Sequence, residues 1–387
     1  MASYTVSTHG VSTYFLPMVA DRERERTIAE AISAMMQSLK NNTEPGKPLR
    51  VLDFGCGTGI LGRWVLKTAK RLEMNVTVIF LDMNKDMINE AKANLDEDDR
   101  DRAVFIVGTT SNRRGGLVHF KEEVDAMVSE MLGTFSVSES MPKYLGQALP
   151  LCKWHNGIKH VIPQQVTQFA DLYPVQIFMH DDDRLYSDAD YVNILRNTTP
   201  PLTIKYLTVA PPINKTIDRI GRVAIRTDSF NSDNATYSGQ AITSLPVTGI
   251  TADHFLAFAW NAQLWDNIYL ESSLRTTNPA RMQAWEVPVV FLIWWEGSFT
   301  GEVRITWRER DITPQKVTLY TENDRDRKLL RQKQREQHMQ QYNMVPEPLC
   351  DDWDDDPNDK NWEPEGSKQK STNKKRKAAQ EANEARE

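Results

Sequence analysis

Val51-Leu52-Asp53-Phe54-Gly55-Cys56-Gly57-Thr58-Gly59-Ile60-Leu61-Gly62 reads as the end of a β-strand, a glycine-rich turn and the start of a helix. Glycines at alternate positions permit backbone angles closed to residues with a β-carbon, and the following helix opens with its amide groups aimed at the same place. Such a turn fits a nucleotide-like molecule. Working outward, β-rich runs at 49–54, 76–82, 103–107 and 123–128 alternate with helical patterns at 60–72 and 85–95. Upstream, Ile28, Ala31, Ile32, Met35, Met36 and Leu39 recur at helical spacing, which predicts a helix over 27–39. The order predicts a parallel, doubly wound α/β sheet with a ligand cleft at the carboxyl ends of its strands.

Beyond Pro163 the period changes. Alternating runs at 165–175, 221–225, 254–260, 288–295 and 301–307 predict antiparallel strands. A polar excursion at 181–201 interrupts them, and its Tyr186, Tyr191, Ile194 and Leu195 read as a packing face. From 321 the chain is charged, with an acidic block at 351–365 and a basic one at 368–377. That segment has too little apolar area to offset its ordering entropy and is expected to be disordered. Lys374-Lys375-Arg376-Lys377 reads either as a solvated charge run or as a nuclear import signal.

The 387 residues, 40% of them hydrophobic, leave room for two domains. No stretch of eighteen apolar residues occurs and the first ten residues lack a basic segment leading into an apolar one, so neither a membrane span nor a secretory signal is expected. The expected location is cytoplasmic, with nuclear entry open through the basic cluster. Cys56, Cys152 and Cys350 are widely spaced and form no CxxC pair, which predicts free thiols and no metal site. A net charge of −6 gives no general attraction to nucleic acid, while an acidic surface attracts cationic segments.

Asp82 closes the second predicted strand, where a carboxylate can accept hydrogen bonds from two adjacent ribose hydroxyls. Turn and carboxylate together indicate an adenosine ligand. The turn departs from GxGxxG, since Ile60 stands at the last position and the next glycine is Gly62. S-adenosylmethionine has no pyrophosphate to seat on the helix, and this form is similar to the first motif of the methyltransferases that use it. Asp53 can support the loop, cap the helix or approach the cofactor's amino group.

The second decisive segment is Ser129-Glu130-Met131-Leu132-Gly133-Thr134-Phe135-Ser136-Val137-Ser138-Glu139, which sets two glutamates on the loop after the fourth strand. It resembles the double-glutamate loop of protein arginine methyltransferases, and residues 51–62 resemble the first motif of that family. Met18-Val19-Ala20-Asp21-Arg22-Glu23-Arg24, with Tyr14-Phe15 upstream, resembles its N-terminal helix, although alone the charge run reads as a solvated helix face.

The resemblance implies an α/β, Rossmann-like class I methyltransferase domain followed by an antiparallel β-barrel-like domain with an inserted dimerisation arm. The boundaries are a cofactor-covering helical segment at 1–48, the S-adenosylmethionine-binding domain at 49–162, the barrel at 163–320 with its arm at 181–201, and the tail at 321–387. It implies that Glu130 and Glu139 are catalytic, clamping a substrate guanidinium, and that Arg24 pairs with the cofactor's carboxylate. Met18 would line the pocket near the transferred methyl, while Asp53, Gly55, Gly57, Gly59 and Asp82 form the cofactor cradle. Thr110 stands where a glutamate contacting the adenine is usual, and Asp21 would help hold the substrate or the glutamate loop.

Late in the chain Trp285 aligns with the family's Thr-His-Trp loop, while Gln283 and Ala284 replace the other two residues. Gln283 and Trp285 are implied to narrow the substrate pocket. These departures, with Gly133-Thr134-Phe135 in the glutamate loop, resemble the divergent type II and type III branches more than the dimethylating majority; of the two, the type III (protein arginine methyltransferase 7) branch, which makes monomethylarginine, is expected over the symmetric-dimethylating type II branch. The implied partners are arginine-containing proteins, arginine-glycine-rich or otherwise basic, and a second copy of the chain, with S-adenosylhomocysteine as coproduct and neither membrane nor nucleic acid bound. Competing readings are a catalytically silent subunit that stabilises an active relative, and a small-molecule or RNA methyltransferase on the same fold.

Overall fold

The computed structural model describes residues 21–110, 117–133, 135–136, 139–174, 207–209, 219–240, 242–251, 254–273, 287–291, 298–307 and 316–323, with Leu329 and Gln332. The chain divides into a unit at 1–342 and a second at 343–387, and none of the second lies among the described residues. The expected arm at 181–201 also falls outside them.

Helix α1 (Arg22–Asn41) buries Ile28, Ala31, Ile32, Met35, Met36 and Leu39, the stripe read from the sequence. It begins earlier than the predicted 27 because Asp21 caps it, accepting a hydrogen bond from the Arg24 amide at 3.0 Å. The charge run is therefore only in part a solvated face: Arg22, Glu23 and Arg26 are exposed, whereas Asp21 and Arg24 are buried.

Then follow β1 (Leu49–Phe54), α2 (Ile60–Arg71), β2 (Val76–Asp82), α3 (Lys85–Ala93), β3 (Ala103–Thr109), β4 (Val118–His119), β5 (Ala126–Val128) and α4 (Met141–Ala148). A hairpin of β6 (Trp154–His155) and β7 (Ile158–Lys159) leads into β8 (Val161–Ile162). The sheet has the order β4-β3-β2-β1-β5-β8, and all its pairs are parallel. The sequence reading missed β4. β1 and β2 are nearly continuous apolar runs, as strands covered on both faces require. Winding reverses at β1, which has β2 on one side and β5 on the other, so a cleft opens at its carboxyl end.

The second region is antiparallel. Strand β9 (Gln165–Pro174) is its hub, followed by β10 (Leu207–Val209), β11 (Gly221–Ser229), β12 (Thr236–Gly239), β13 (Ile242–Ile250), β14 (His254–Ala257), β15 (Trp260–Trp265), β16 (Ile268–Ser272), β17 (Val287–Phe291), β18 (Phe299–Thr306) and β19 (Lys316–Tyr320). β11 pairs along one edge of β9, while β15 and β14 share the other. β13, β18 and β19 make a second sheet. The run predicted at 254–260 is split, belonging to β14 and the start of β15, and β12, β13, β16 and β19 were not read from the sequence. α1 packs between α2 and the β15–β16 hairpin, so Trp265 and Leu270 share one apolar core with Ile28 and Ile32. A second core, holding Phe258, Phe299, Val303 and Trp307, lies within the antiparallel region.

Candidate active site

The turn after β1 takes positive φ at Gly55 (69°), Gly57 (51°) and Gly59 (80°). Gly59 is held most tightly, because a β-carbon there would lie 2.9 Å from that of Ala91 on α3. Gly62, the glycine displaced from the dinucleotide pattern, has a packing role: its β-carbon would sit 2.3 Å from the Phe80 ring. The missing side chain lets α2 approach β2 closely. Asp53 lies beneath this turn, where its Oδ2 accepts from the Gly62 amide at 2.8 Å. It thus caps the helix start, and burial holds its carboxyl well above the usual carboxylate range, with the charge of Asp82 adding to the effect.

Asp82, at the end of β2, accepts from the Gly57 amide through Oδ2 at 3.0 Å and from the Asn84 amide through Oδ1 at 2.8 Å. A carboxylate has about four acceptor positions, so each oxygen keeps one for a ligand hydroxyl. Thr110, just after β3, is buried; its carbonyl is 3.0 Å from His119 Nε2, and its Oγ1 has no hydrogen-bond partner among the described residues. The neighbouring Gly108 and Thr109, rather than Thr110, line the cleft.

On the other side of β1, Ser129 fixes the start of the glutamate loop. Its hydroxyl donates to the Phe54 carbonyl at 2.7 Å and its amide to the Ile162 carbonyl at 2.9 Å. Glu130 follows, its side chain only 5% exposed; its Oε1 accepts from the Leu132 amide at 3.0 Å and its Oε2 pairs with the Arg24 guanidinium. Glu139 is exposed along part of its side chain, yet partial withdrawal of its carboxyl from water, with the charge of Glu130 adding, pushes its pKa up to about 7. Between the two glutamates the loop rests on the antiparallel region, with the Phe135 ring 5.9 Å from that of Phe258 and 6.3 Å from that of Trp307.

These groups meet in one cavity of about 320 Å³, lined by Gly55, Gly57, Asp82, Glu130 and Glu139 together with Met83, Met131, Thr109 and Tyr144. Of the residues singled out in the sequence, Asp53 and Gly59 support its floor from below, and Arg24 reaches it through Glu130. Asp21 acts through the cap of α1. Met18, Gln283 and Trp285 lie outside the described residues. Met83, Met131 and Tyr144 were missed. The first two directly follow Asp82 and Glu130, which was signal enough to find them, whereas Tyr144 reaches the cavity through the placement of α4. Cys56 and Cys152 are buried free thiols. Among the described residues no group of three or more His, Cys, Asp or Glu side chains is arranged to hold a metal ion.

Comparison with known proteins bears on the parallel half of the chain. Residues 51–153 match the protein family described as methyltransferase domain. A search of curated proteins returns no match. Solved structures to which the chain is similar include Trypanosoma brucei PRMT1 in its enzyme-prozyme heterotetrameric complex with AdoHcy, at 16% identity over 80% of this chain and 94% of that one, with a TM-score of 0.49. PRMT6 is similar at 13% identity over 79% of this chain and 97% of its own, with a TM-score of 0.45. The family match over 51–153 and the strand pairing together give a Rossmann-like methyltransferase domain followed by an antiparallel region.

Proposed function

We propose that this chain is a protein arginine N-methyltransferase that uses S-adenosylmethionine and makes monomethylarginine. The observation that carries the reading is the meeting of Glu130 and Glu139 in the cavity that also holds the glycine turn and Asp82. The cradle fits the cofactor: Asp82 retains acceptor capacity for ribose hydroxyls, and the turn backbone lies open at Gly57, where a β-carbon would meet nothing within 4 Å. Thr110, implied by the resemblance to contact the adenine, would act from behind Gly108 and Thr109, which line the cleft. Arg24 would hold the carboxylate of the amino-acid end and Met18 would line the pocket near the transferred methyl; when bound, the cofactor supplies an electrophilic methyl on a sulfonium.

A guanidinium is protonated at any physiological pH, with a pKa above about 12, so its nitrogens are poor nucleophiles until charge is redistributed. Two carboxylates do this by paired hydrogen bonds, which hold positive charge on the contacted nitrogens and aim the remaining one along the transfer line. Glu130 is fixed by Ser129 and Leu132. Glu139, titrating near neutrality, is matched to take up a proton as the methylated product forms. Asp21 keeps Arg24 in register through the cap of α1. Gln283 and Trp285 would crowd the acceptor nitrogen, which is our basis for monomethylation and for placing the chain nearest the type III branch. We extend the reading to basic or arginine-glycine-rich protein substrates, a homodimer formed through the arm at 181–201, and a cytoplasmic location.

The Arg24–Glu130 contact favours one alternative, a catalytically silent subunit, because it occupies an acceptor carboxylate with an internal cation. Incubating the full chain with labelled S-adenosylmethionine and an arginine-glycine-rich peptide, then separating the methylarginines, distinguishes the two. Monomethylarginine alone is expected; abundant dimethylarginine would overturn the product assignment, and no label would support the silent subunit.

A further inference from the structure

We propose that Gln168 and Trp260 are positioning residues that fix the spacing of Glu130 and Glu139, by holding the loop between the two glutamates at two points. The inference rests on the reading of those glutamates as a guanidinium clamp.

The two residues are direct cross-strand partners on β9 and β15, so their side chains leave the same face of the sheet. Both are fully buried. Trp260 Nε1 donates to the Gly133 carbonyl at 3.0 Å, and Gln168 Oε1 accepts from the Ser136 amide at 3.0 Å. The amide of Gln168 is itself oriented, because its Nε2 donates to the Ala259 carbonyl at 2.7 Å; a flipped amide would lose both bonds. Gly133 and Ser136 both lie between the two glutamates in the chain.

The glutamates are therefore positioned from different sides. Glu130 is tied to the parallel sheet through Ser129 and Phe54. The loop leading on to Glu139 is tied to the antiparallel region, through the clip and through Phe135. A carboxylate pair that must bridge one planar guanidinium tolerates little change in separation, and a misplacement of about 1 Å can cost about a hundredfold in rate. Burial alone would explain an apolar pair at these positions. It does not explain two polar groups spent on one donor and one acceptor of this loop.

The test uses the full chain with Trp260→Phe, which keeps a ring and removes the donor, and Gln168→Met, which keeps the length and removes the acceptor. Two readouts separate positioning from simple stability. The first is the carboxyl titration of Glu139 by carbon NMR, assigned by its loss in Glu139→Gln; the second is kcat/KM for an arginine peptide beside the affinity for S-adenosylhomocysteine. In each variant the Glu139 titration is expected to move away from that of the parent, because a displaced loop changes both its exposure to water and its distance from the Glu130 charge. kcat/KM should fall about tenfold to a hundredfold with cofactor affinity unchanged. Variants that fold yet keep the parental titration and kcat/KM would overturn the proposal. If the parent methylates no arginine, the functional reading fails, and the Glu139 titration alone decides the clip.

Discussion

Arg24 and Glu130 form an ion pair in which each side chain is only 5% exposed. The pair joins the first turn of α1 to the loop after β5, and so couples the segment expected to cover the cofactor to the carboxylate expected to hold the substrate.

Breaking that pair leaves Glu130 buried without its cation. Arg24→Met should lower unfolding free energy by about 3–5 kcal/mol, while Arg24→Met combined with Glu130→Gln should recover much of the loss. Urea denaturation of the two single variants and the double variant checks this. Additive losses would show that the pair is not coupled.

Glu139 gives a pH dependence with a definite sign. Its folded pKa of about 7 lies above the ordinary 4.5, so between those values the folded chain binds more protons than the unfolded one. This group's contribution to stability therefore falls as pH rises through that window and levels off above it. Because the clamp needs the ionised form, kcat/KM should rise with an apparent pKa near 7, and the step should vanish in Glu139→Gln. Denaturation midpoints and rate profiles across the window test both halves.

Gly62→Ala places a methyl 2.3 Å from the Phe80 ring and 2.9 Å from Asp53 Oδ2. Overpacking of this kind costs about 1–3 kcal/mol, and the shift of α2 should weaken cofactor binding as well. Thermal melts with and without S-adenosylhomocysteine report the two effects separately; an unchanged melt would mean that α2 moves away freely.

Asp82→Ala removes a ligand acceptor and also frees the amides of Gly57 and Asn84. Calorimetry should show S-adenosylhomocysteine bound about tenfold more weakly or worse, the equivalent of one or two lost hydrogen bonds. Parental affinity would remove Asp82 from the cofactor site.

The parallel half of the fold was legible because each of its signals is local. Apolar runs of strand length, the turn of Gly55, Gly57 and Gly59, and Asp82 at a strand end all lie within about one βαβ unit. The glutamate loop was legible only through its resemblance to a family, since two carboxylates on a loop carry little information alone. What stayed hidden depends on distant partners. Arg24 looks like part of a solvated charge run until Glu130 is brought beside it, and Asp21 until its carboxylate caps α1. β13 was obscured by Pro246 and by the bulge before Ile250, where Gly249 takes positive φ. Gln168 and Trp260 gave no signal at all, because their role exists only once β9 pairs with β15 and the loop of Gly133 and Ser136 is laid on both.

The most direct test of the clamp compares the parent with Glu130→Gln and Glu139→Gln in methyl transfer to an arginine peptide, beside a lysine peptide and a measurement of cofactor affinity. The account predicts transfer to arginine only, a loss of more than about tenfold in each variant, and cofactor binding little changed. Variants as active as the parent, or equal transfer to lysine, would contradict it.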